Sequence, residues 1–526
     1  MSDEPHDDPS TARPLIFHPT PPSRLSGASK AGQPAGEEDG SLEQSLYEIR
    51  RKIYPRAVSG WFASWRYALI FATQIAFYGA AWLQWNGRQA VLFDLVARKF
   101  YIFGLVFWPQ DFIYLTALLI VSALSLFLFT AVAGRLWCGY ACPQTVYTEI
   151  FMWIERKVEG DRAARMKLDG EAGSVRKAGK KALKHFLWIS LALWTGFTFV
   201  GYFNPIRDLS HDVVALALGP WETFWLLFYS FATYGNAGWM REQVCKYMCP
   251  YARFQSAMFD PDTLIVTYDK ARGEPRGARN KSVQRAELAS RGLGDCVDCG
   301  ICVQVCPTGI DIRQGLQYEC IGCAACIDSC NQVMKKLNYP PGLIRYSTEN
   351  ALKNGWSFRQ MFKRVVRPRV LVYTGILSVV MLFAATALFQ RIPLKVDVIR
   401  DRAVLSREAE DGRMENIYRL QVMNTSELPM HVTISVRGAE RLQQLEVTSG
   451  GQALDIAPVT SRLLPVRVAA TPAAGKAGTE RIEFIITAQR NSQSEGADYT
   501  VREKSSFYVP ARTDDEDHEE KRHDNR

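Results

Sequence analysis

Two stretches of this chain, CVDCGICVQVCP from Cys296 and CIGCAACIDSCN from Cys320, space their cysteines identically, as C-x2-C-x2-C-x3-C. Thiolate sulfur is a soft ligand, and three closely spaced thiolates can cap one face of an iron–sulfur cube. In the two-cluster ferredoxin run, the fourth cysteine of each half ligates the other cube. The spacing therefore assigns Cys296, Cys299, Cys302 and Cys330 to one 4Fe–4S cluster, and Cys320, Cys323, Cys326 and Cys306 to a second. Structural zinc is the competing occupant of clustered cysteines, but it does not call for a doubled run at this spacing. Asn331 stands where the second half would carry proline, which loosens the turn and leaves the ligands untouched.

The other four of the twelve cysteines come as two matched pairs, CGYACP at 138–143 and CKYMCP at 245–250. Residues four apart on a helix have Cβ atoms about 5–6 Å apart, whereas a relaxed disulfide wants about 3.8 Å. Two thiolates so placed can instead grip one metal ion or cluster from one side. Cys138, Cys142, Cys245 and Cys249 are therefore candidate metal ligands, suited to Cu(I), zinc or an iron–sulfur cluster. The prolines after Cys142 and Cys249 disfavour helix at the residue before them, so they are expected to end a helix and open the site. The plain alternative is that each thiol fills a helix end as a small hydrophobe. Two matching pairs beside a ferredoxin run favour the metal reading. Tyr140 and Tyr247 are either donors to these thiolates or aromatic anchors at a membrane interface.

The elements around these cysteines include five long uncharged stretches, Tyr67–Asn86, Phe112–Gly134, Phe186–Ile206, Thr223–Met240 and Val370–Gln390. Each is close to the roughly 20 residues that cross about 30 Å of hydrocarbon. The expected architecture is a multidomain membrane protein with an α-helical bundle of five transmembrane helices, at about 67–86, 112–134, 186–206, 223–240 and 370–390. The first four lie in a membrane domain at 42–260, with Asn236 and glycines interrupting the fourth. Phe100–Gln110 is apolar but short and broken by proline, so it is expected to lie at the interface. Lys and Arg crowd the 135–184 loop, the flank before the first span and the 241–369 segment, whereas 204–220 carries only Arg207. The positive-inside rule then places the N-terminus, both cysteine pairs and the ferredoxin domain (261–365) on the inner side, and the C-terminus outside. Thiols on that side stay reduced, which argues against disulfides.

The net charge of +9 is absorbed by this topology signal, and no basic face interleaved with aromatics marks a nucleic-acid partner. No nucleotide-binding, zinc-protease or covalent haem motif occurs. Residues 1–41 and 511–526 have the composition of disordered, solvated ends. Between 395 and 510, alternating runs such as IYRLQVMN and HVTISVRG read as an all-β, immunoglobulin-like sandwich. Its Met430–His431 pair is a weak copper candidate, and the domain reads as a docking module.

With those residues in place, the sequence resembles the cytochrome c oxidase accessory proteins of the CcoG/FixG/RdxA family. The stretches that carry the resemblance include GRLWCGYACPQTVYTEIF, NAGWMREQVCKYMCPYARFQSAMFDPDTLIVTYD and the double ferredoxin run, and it extends from about Arg50 to Val509. The resemblance implies a protein of the bacterial inner membrane that reduces Cu(II) to Cu(I) for a cbb-type oxidase, using two 4Fe–4S clusters. It makes Cys138, Cys142, Cys245 and Cys249 the copper-handling thiols. It also implies oxidase assembly factors and copper-handling proteins as partners, with an unidentified electron donor. Two other functions share the iron–sulfur run: a quinol-linked conduit to a periplasmic reductase, and a non-enzymatic assembly scaffold.

Overall fold

The computed structural model describes residues 52–510 except 281–282, 289, 401–405, 410–411, 439–441, 450–452, 473–477 and 491–497; the ends expected to be disordered, 1–41 and 511–526, lie outside the described residues. The chain divides into two compact units. One comprises residues up to Trp82 with 117–202 and 206–381, the other 83–116, 203–205 and the residues from Leu382.

Among the described residues, three helices are long and apolar enough to cross a membrane: Pro109–Ala133, Val175–Val200 and Pro368–Phe389. The other two expected spans fall short of that standard. The first is a helix at Trp61–Ala80, displaced from 67–86. The fourth is a 14-residue helix, Pro220–Thr233, that runs into a π-helical segment, Tyr234–Met240. The early starts of the first and third helices have an electrostatic cause. Uncharged runs stop at Arg66 and Lys184, yet both residues lie inside helices with their charges paired. Arg66 sits 3.9 Å from Glu149, and Lys184 2.9 Å from Glu159. The third helix therefore begins at Val175, where the Ser174 hydroxyl accepts from the Lys177 N–H and caps it.

In the ferredoxin segment the strands Ile265–Tyr268 and Ile344–Ser347 pair antiparallel. Around them pack Ile312, Ile327, Met334 and buried cysteines. Each cysteine run takes two left-handed steps and then enters a helix. Asp298 (φ 51) and Gly300 (φ 62) precede Ile301–Gln304, and Gly322 (φ 69) and Ala324 (φ 60) precede Ala325–Lys336. L-residues seldom adopt this conformation, so its recurrence at matching positions gives the segment an internal two-fold pattern.

The second unit holds the expected sandwich. One sheet orders Leu442–Ser449, Ser461–Pro472, Met414–Asn424 and Leu394–Arg400, with Arg407–Glu408 beside the third; the other orders Leu454–Ile456, Met430–Gly438, Gly478–Arg490 and Tyr499–Val509. Tyr418 and Phe484 meet edge to face in the core between them. Met430 is buried there, and His431 Nδ1 lies 2.8 Å from Asp455 Oδ1 on the outside. Phe100–Gln110, the apolar segment expected at the interface, is built into a sheet. Its residues supply the strands Lys99–Ile102 and Leu105–Phe107 of a small antiparallel sheet with Val91–Asp94. Just after it lies a buried carboxylate, Asp111, which pairs with Arg391 at 2.7 Å and with Lys395. Val106 and Trp108 pack on Met423 beside it.

Candidate metal centres

The Cys-Pro motifs fold differently from the single helix that their spacing suggests. Cys138 lies in a five-residue helix, Leu136–Tyr140, and Cys142 is the cap residue of the next, Pro143–Glu159. Cys245 lies in a π-helical segment, Val244–Met248, and Cys249 is the cap residue of Pro250–Met258. Each proline thus takes the first helical position, where its missing N–H costs nothing. It starts a helix as well as stopping one. π-Helical turns are rare and recur at functional sites.

The structure brings the four thiols of the two motifs together. Cys142 and Cys249 both act on Cys138, and Cys142, Cys138 and Cys249 all act on Cys245. Burial pushes the Cys138 thiol up to about 11 and the Cys245 thiol up to about 12, and the neighbouring sulfurs push in the same direction. Burial raises Cys142 as well, against the pull of the Thr145 and Gln144 backbone N–H groups. A metal entering this group must displace protons.

Two glutamines brace one motif against the other. Gln255, buried on the second motif's helix, places its amide 3.5 Å from Cys138 Sγ. Gln144, on the first motif's helix, donates to the backbone oxygens of Asn236 at 2.9 Å and Arg241 at 3.1 Å, in the turn that leads to Cys245. Arg241 itself has φ 44. It is held there by Glu155 at 3.1 Å, by the Gly238 carbonyl at 2.9 Å and by the Trp188 ring. Glu155 also pairs with Arg165 at 3.0 Å and Lys184 at 3.5 Å, all in the interior. Burial alone would raise the Glu155 carboxyl, but Arg241, Lys184 and Arg165 outweigh it and hold it below its usual range. No periodicity in the sequence marks Gln144, Gln255 or Glu155.

The thiol group abuts the second ferredoxin set. Cys138 and Cys245 pack against Ile321, Cys323 and Ala325. At Gly139 an added Cβ would sit 2.8 Å from the Ile321 carbonyl oxygen and 2.9 Å from Cys323 Cα. Arg135 is buried between the two groups, with Cys138, Cys245 and Cys249 acting on it from one and Cys320 from the other. It donates to the Tyr318 and Ala252 carbonyls. Tyr140 is neither a thiolate donor nor an exposed anchor: its hydroxyl lies 3.4 Å from that of Tyr346, which donates to the Gly322 carbonyl at 2.6 Å. Tyr247 is exposed.

Within the ferredoxin segment the two sets cross. Burial pushes Cys330 up to about 12, and Cys302, Cys296 and Cys299 add to it. Cys326 is raised by burial and then by Cys323, Cys320 and Cys306, with Cys302 further off. The two sets therefore adjoin. A small, mostly apolar cavity is lined by Cys306, Cys320, Cys323 and Cys326, with Cys302 of the other set, Val266 and Ile312. Among the described residues, no three His, Cys, Asp or Glu side chains close on a single metal ion.

Fold and cysteines together define a membrane protein of the ferredoxin class, one that carries electrons through iron–sulfur clusters. Comparison with known proteins agrees. Residues 240–349 match the 4Fe-4S dicluster domain, 115–159 a 4Fe-4S binding domain, and 384–510 the IG-like fold at the C-terminal of FixG. The nitrogen fixation protein FixG of Rhizobium meliloti (strain 1021) is 36% identical over 499 residues, covering 88% of this chain and 94% of that one. Protein RdxB of Cereibacter sphaeroides is 39% identical over 413 residues, covering 77% and 83%. The crystal structure of a FixG-related protein from Vibrio parahaemolyticus covers 23% of this chain and 100% of that one, at 25% identity and a TM-score of 0.19. The chain belongs to the FixG family.

Proposed function

We propose that this protein reduces Cu(II) to Cu(I) for the copper centre of a cbb-type cytochrome c oxidase. The observation that carries the reading is the packing of Cys138 and Cys245 against the buried cluster that contains Cys323. It sets a soft-ligand copper seat directly beside a ligand of an electron carrier. Cys296, Cys299, Cys302 and Cys330 would hold one 4Fe–4S cluster, and Cys320, Cys323, Cys326 and Cys306 the other. When bound, such clusters supply electrons one at a time, which is what Cu(II) reduction consumes. Cys138, Cys142, Cys245 and Cys249 take up the Cu(II) substrate and, as soft ligands, favour the Cu(I) product. The Arg135 guanidinium offsets the negative charge that builds up as thiols become thiolates. In this reading the chain crosses the bacterial inner membrane five times. The thiols and clusters lie on the cytoplasmic side, and the sandwich docks assembly factors and copper-handling proteins in the periplasm.

The test is a single turnover. Anaerobically purified protein, reduced chemically and freed of reductant, is mixed with Cu(II) and a Cu(I)-specific chelator. Wild type is expected to yield Cu(I) as its clusters oxidise. Replacing Cys245 and Cys249 with serine is expected to leave iron content unchanged and cut the rate by about tenfold or more, since a hard oxygen replaces a soft ligand. An unchanged rate overturns the copper role of these thiols.

A further inference from the structure

The helices Trp61–Ala80 and Pro143–Glu159, with Leu191 of Val175–Val200, line an open cleft of about 760 Å³. This is the size of a small-molecule site. Ile70, Phe71, Ile150, Trp153 and Leu191 give it apolar walls, and Phe71 and Trp153 are exposed at its edge. Its polar groups converge on one buried carboxylate. Glu149 Oε1 accepts from the Tyr67 hydroxyl at 3.3 Å, and Arg156 Nη2, 3.6 Å away, also donates to Tyr67 at 3.0 Å. Gln74, on the same wall, has its side-chain oxygen buried with no donor. A buried acceptor left without a donor is costly, so this oxygen is free to take a ligand hydroxyl.

Behind Glu149 the chain leads straight to the second ferredoxin set. Arg66, itself buried, lies 3.9 Å from Glu149 and donates to the Cys323 carbonyl at 3.4 Å. The cavity and the iron–sulfur ligand are thus two side chains apart.

We infer that this cavity binds a membrane quinol and is the port through which electrons enter the protein. The inference rests on the electron-transfer reading above and supplies its donor. A quinol has what the cavity asks for: a flat apolar ring, a hydroxyl to donate to Gln74, a second hydroxyl to face Glu149, and a lipid-soluble body. A phospholipid chain would fill the walls and leave Gln74 unanswered. The reaction balances. Quinol loses two electrons and two protons to become quinone, and one electron passes to each of the two clusters. The Glu149 carboxylate takes the proton of the hydroxyl facing it and releases it to water past Arg156 and exposed Lys157, while the proton of the hydroxyl held by Gln74 leaves to water at the open mouth of the site. Two Cu(II) ions then take one electron each, so one quinol matches two copper ions.

The experiment uses full-length protein in lipid nanodiscs, with no copper present. Binding of the quinol analogue 2-heptyl-4-hydroxyquinoline N-oxide is followed by quenching of its fluorescence. Reduction of the clusters by decylubiquinol is followed by EPR. Wild type is expected to bind saturably and to be reduced. Gln74→Leu, and Ile150→Trp to fill the cavity, are each expected to weaken binding by about tenfold, the scale of one lost buried hydrogen bond or a blocked seat. Glu149→Gln is expected to slow reduction by quinol while dithionite still reduces both clusters, which separates a lost proton acceptor from a lost fold. No saturable binding to wild type, or equal binding by all variants, overturns the proposal and leaves the cavity to lipid. Because copper is absent, either result stands apart from failure of the single-turnover assay.

Discussion

At the scale of single residues, the site turns on how closely backbone approaches backbone. Gly139 lets the first Cys-Pro motif lie directly on the loop that carries Cys323, where a methyl group would meet a carbonyl oxygen at 2.8 Å. Neither partner is a flexible side chain, so Gly139→Ala must push the loops apart. The expected cost is about 1–3 kcal/mol, typical of overpacking, read as a lower thermal midpoint together with slower single-turnover copper reduction. An unchanged rate would mean that the contact does not set the transfer distance. Iron content discriminates between fates of the four paired thiols. About eight irons per chain are expected from two cubanes, and about twelve would place a third cube at Cys138, Cys142, Cys245 and Cys249, where copper is proposed. The cysteines themselves were legible because their spacing repeats. Gln144 and Gln255 were not, because each works on the other motif's backbone or sulfur and leaves no mark on its own neighbours in sequence.

At the scale of elements, buried charge explains both what the sequence hid and what acid should undo. The helices begin earlier than their uncharged cores because Arg66 and Lys184 are neutralised by carboxylates on Pro143–Glu159. A hydropathy reading counts such residues as boundaries. Asp111 likewise recruits residues 83–116 to the sandwich through partners some 280 positions away, Arg391 and Lys395. Glu155 is the most loaded of these groups. Its carboxyl is held below the usual range, so its share of stability is present above about pH 4, the unfolded value. That share is lost as pH falls through the folded value. Asp169, held low against burial by Lys181, Lys52 and Tyr54, acts in the same direction. The thermal midpoint is therefore expected to fall as pH drops below about 4. Glu155→Gln should lower it at neutral pH by the equivalent of about 3–5 kcal/mol, because Arg165 and Arg241 stay buried without their carboxylate while Lys184 keeps Glu159. It should also flatten the acid slope. A parallel slope in the variant would locate the acid sensitivity elsewhere.

At the scale of the whole molecule, composition and strand alternation disclosed the order of the parts: apolar helices, ferredoxin segment, sandwich. The number of membrane crossings is the part they left open, since two of the five expected spans are too short or too polar to declare themselves. A reporter fused after residue 510 is expected to be active only in the periplasm, and cytoplasmic activity would refute the proposed orientation. One further consequence follows from the reciprocal glutamine braces, and it concerns time. The first Cys-Pro motif is completed by Gln255, roughly a hundred residues downstream. At ~5–20 residues per second, a nascent chain waits about 5–20 s between exposing Cys142 and acquiring that brace. During this interval the first two thiols are unguarded, open to stray metal or oxidant. Pulsed alkylation of arrested ribosome-bound chains should label Cys138 in those that have not yet emerged past Gln255 and spare it in longer ones.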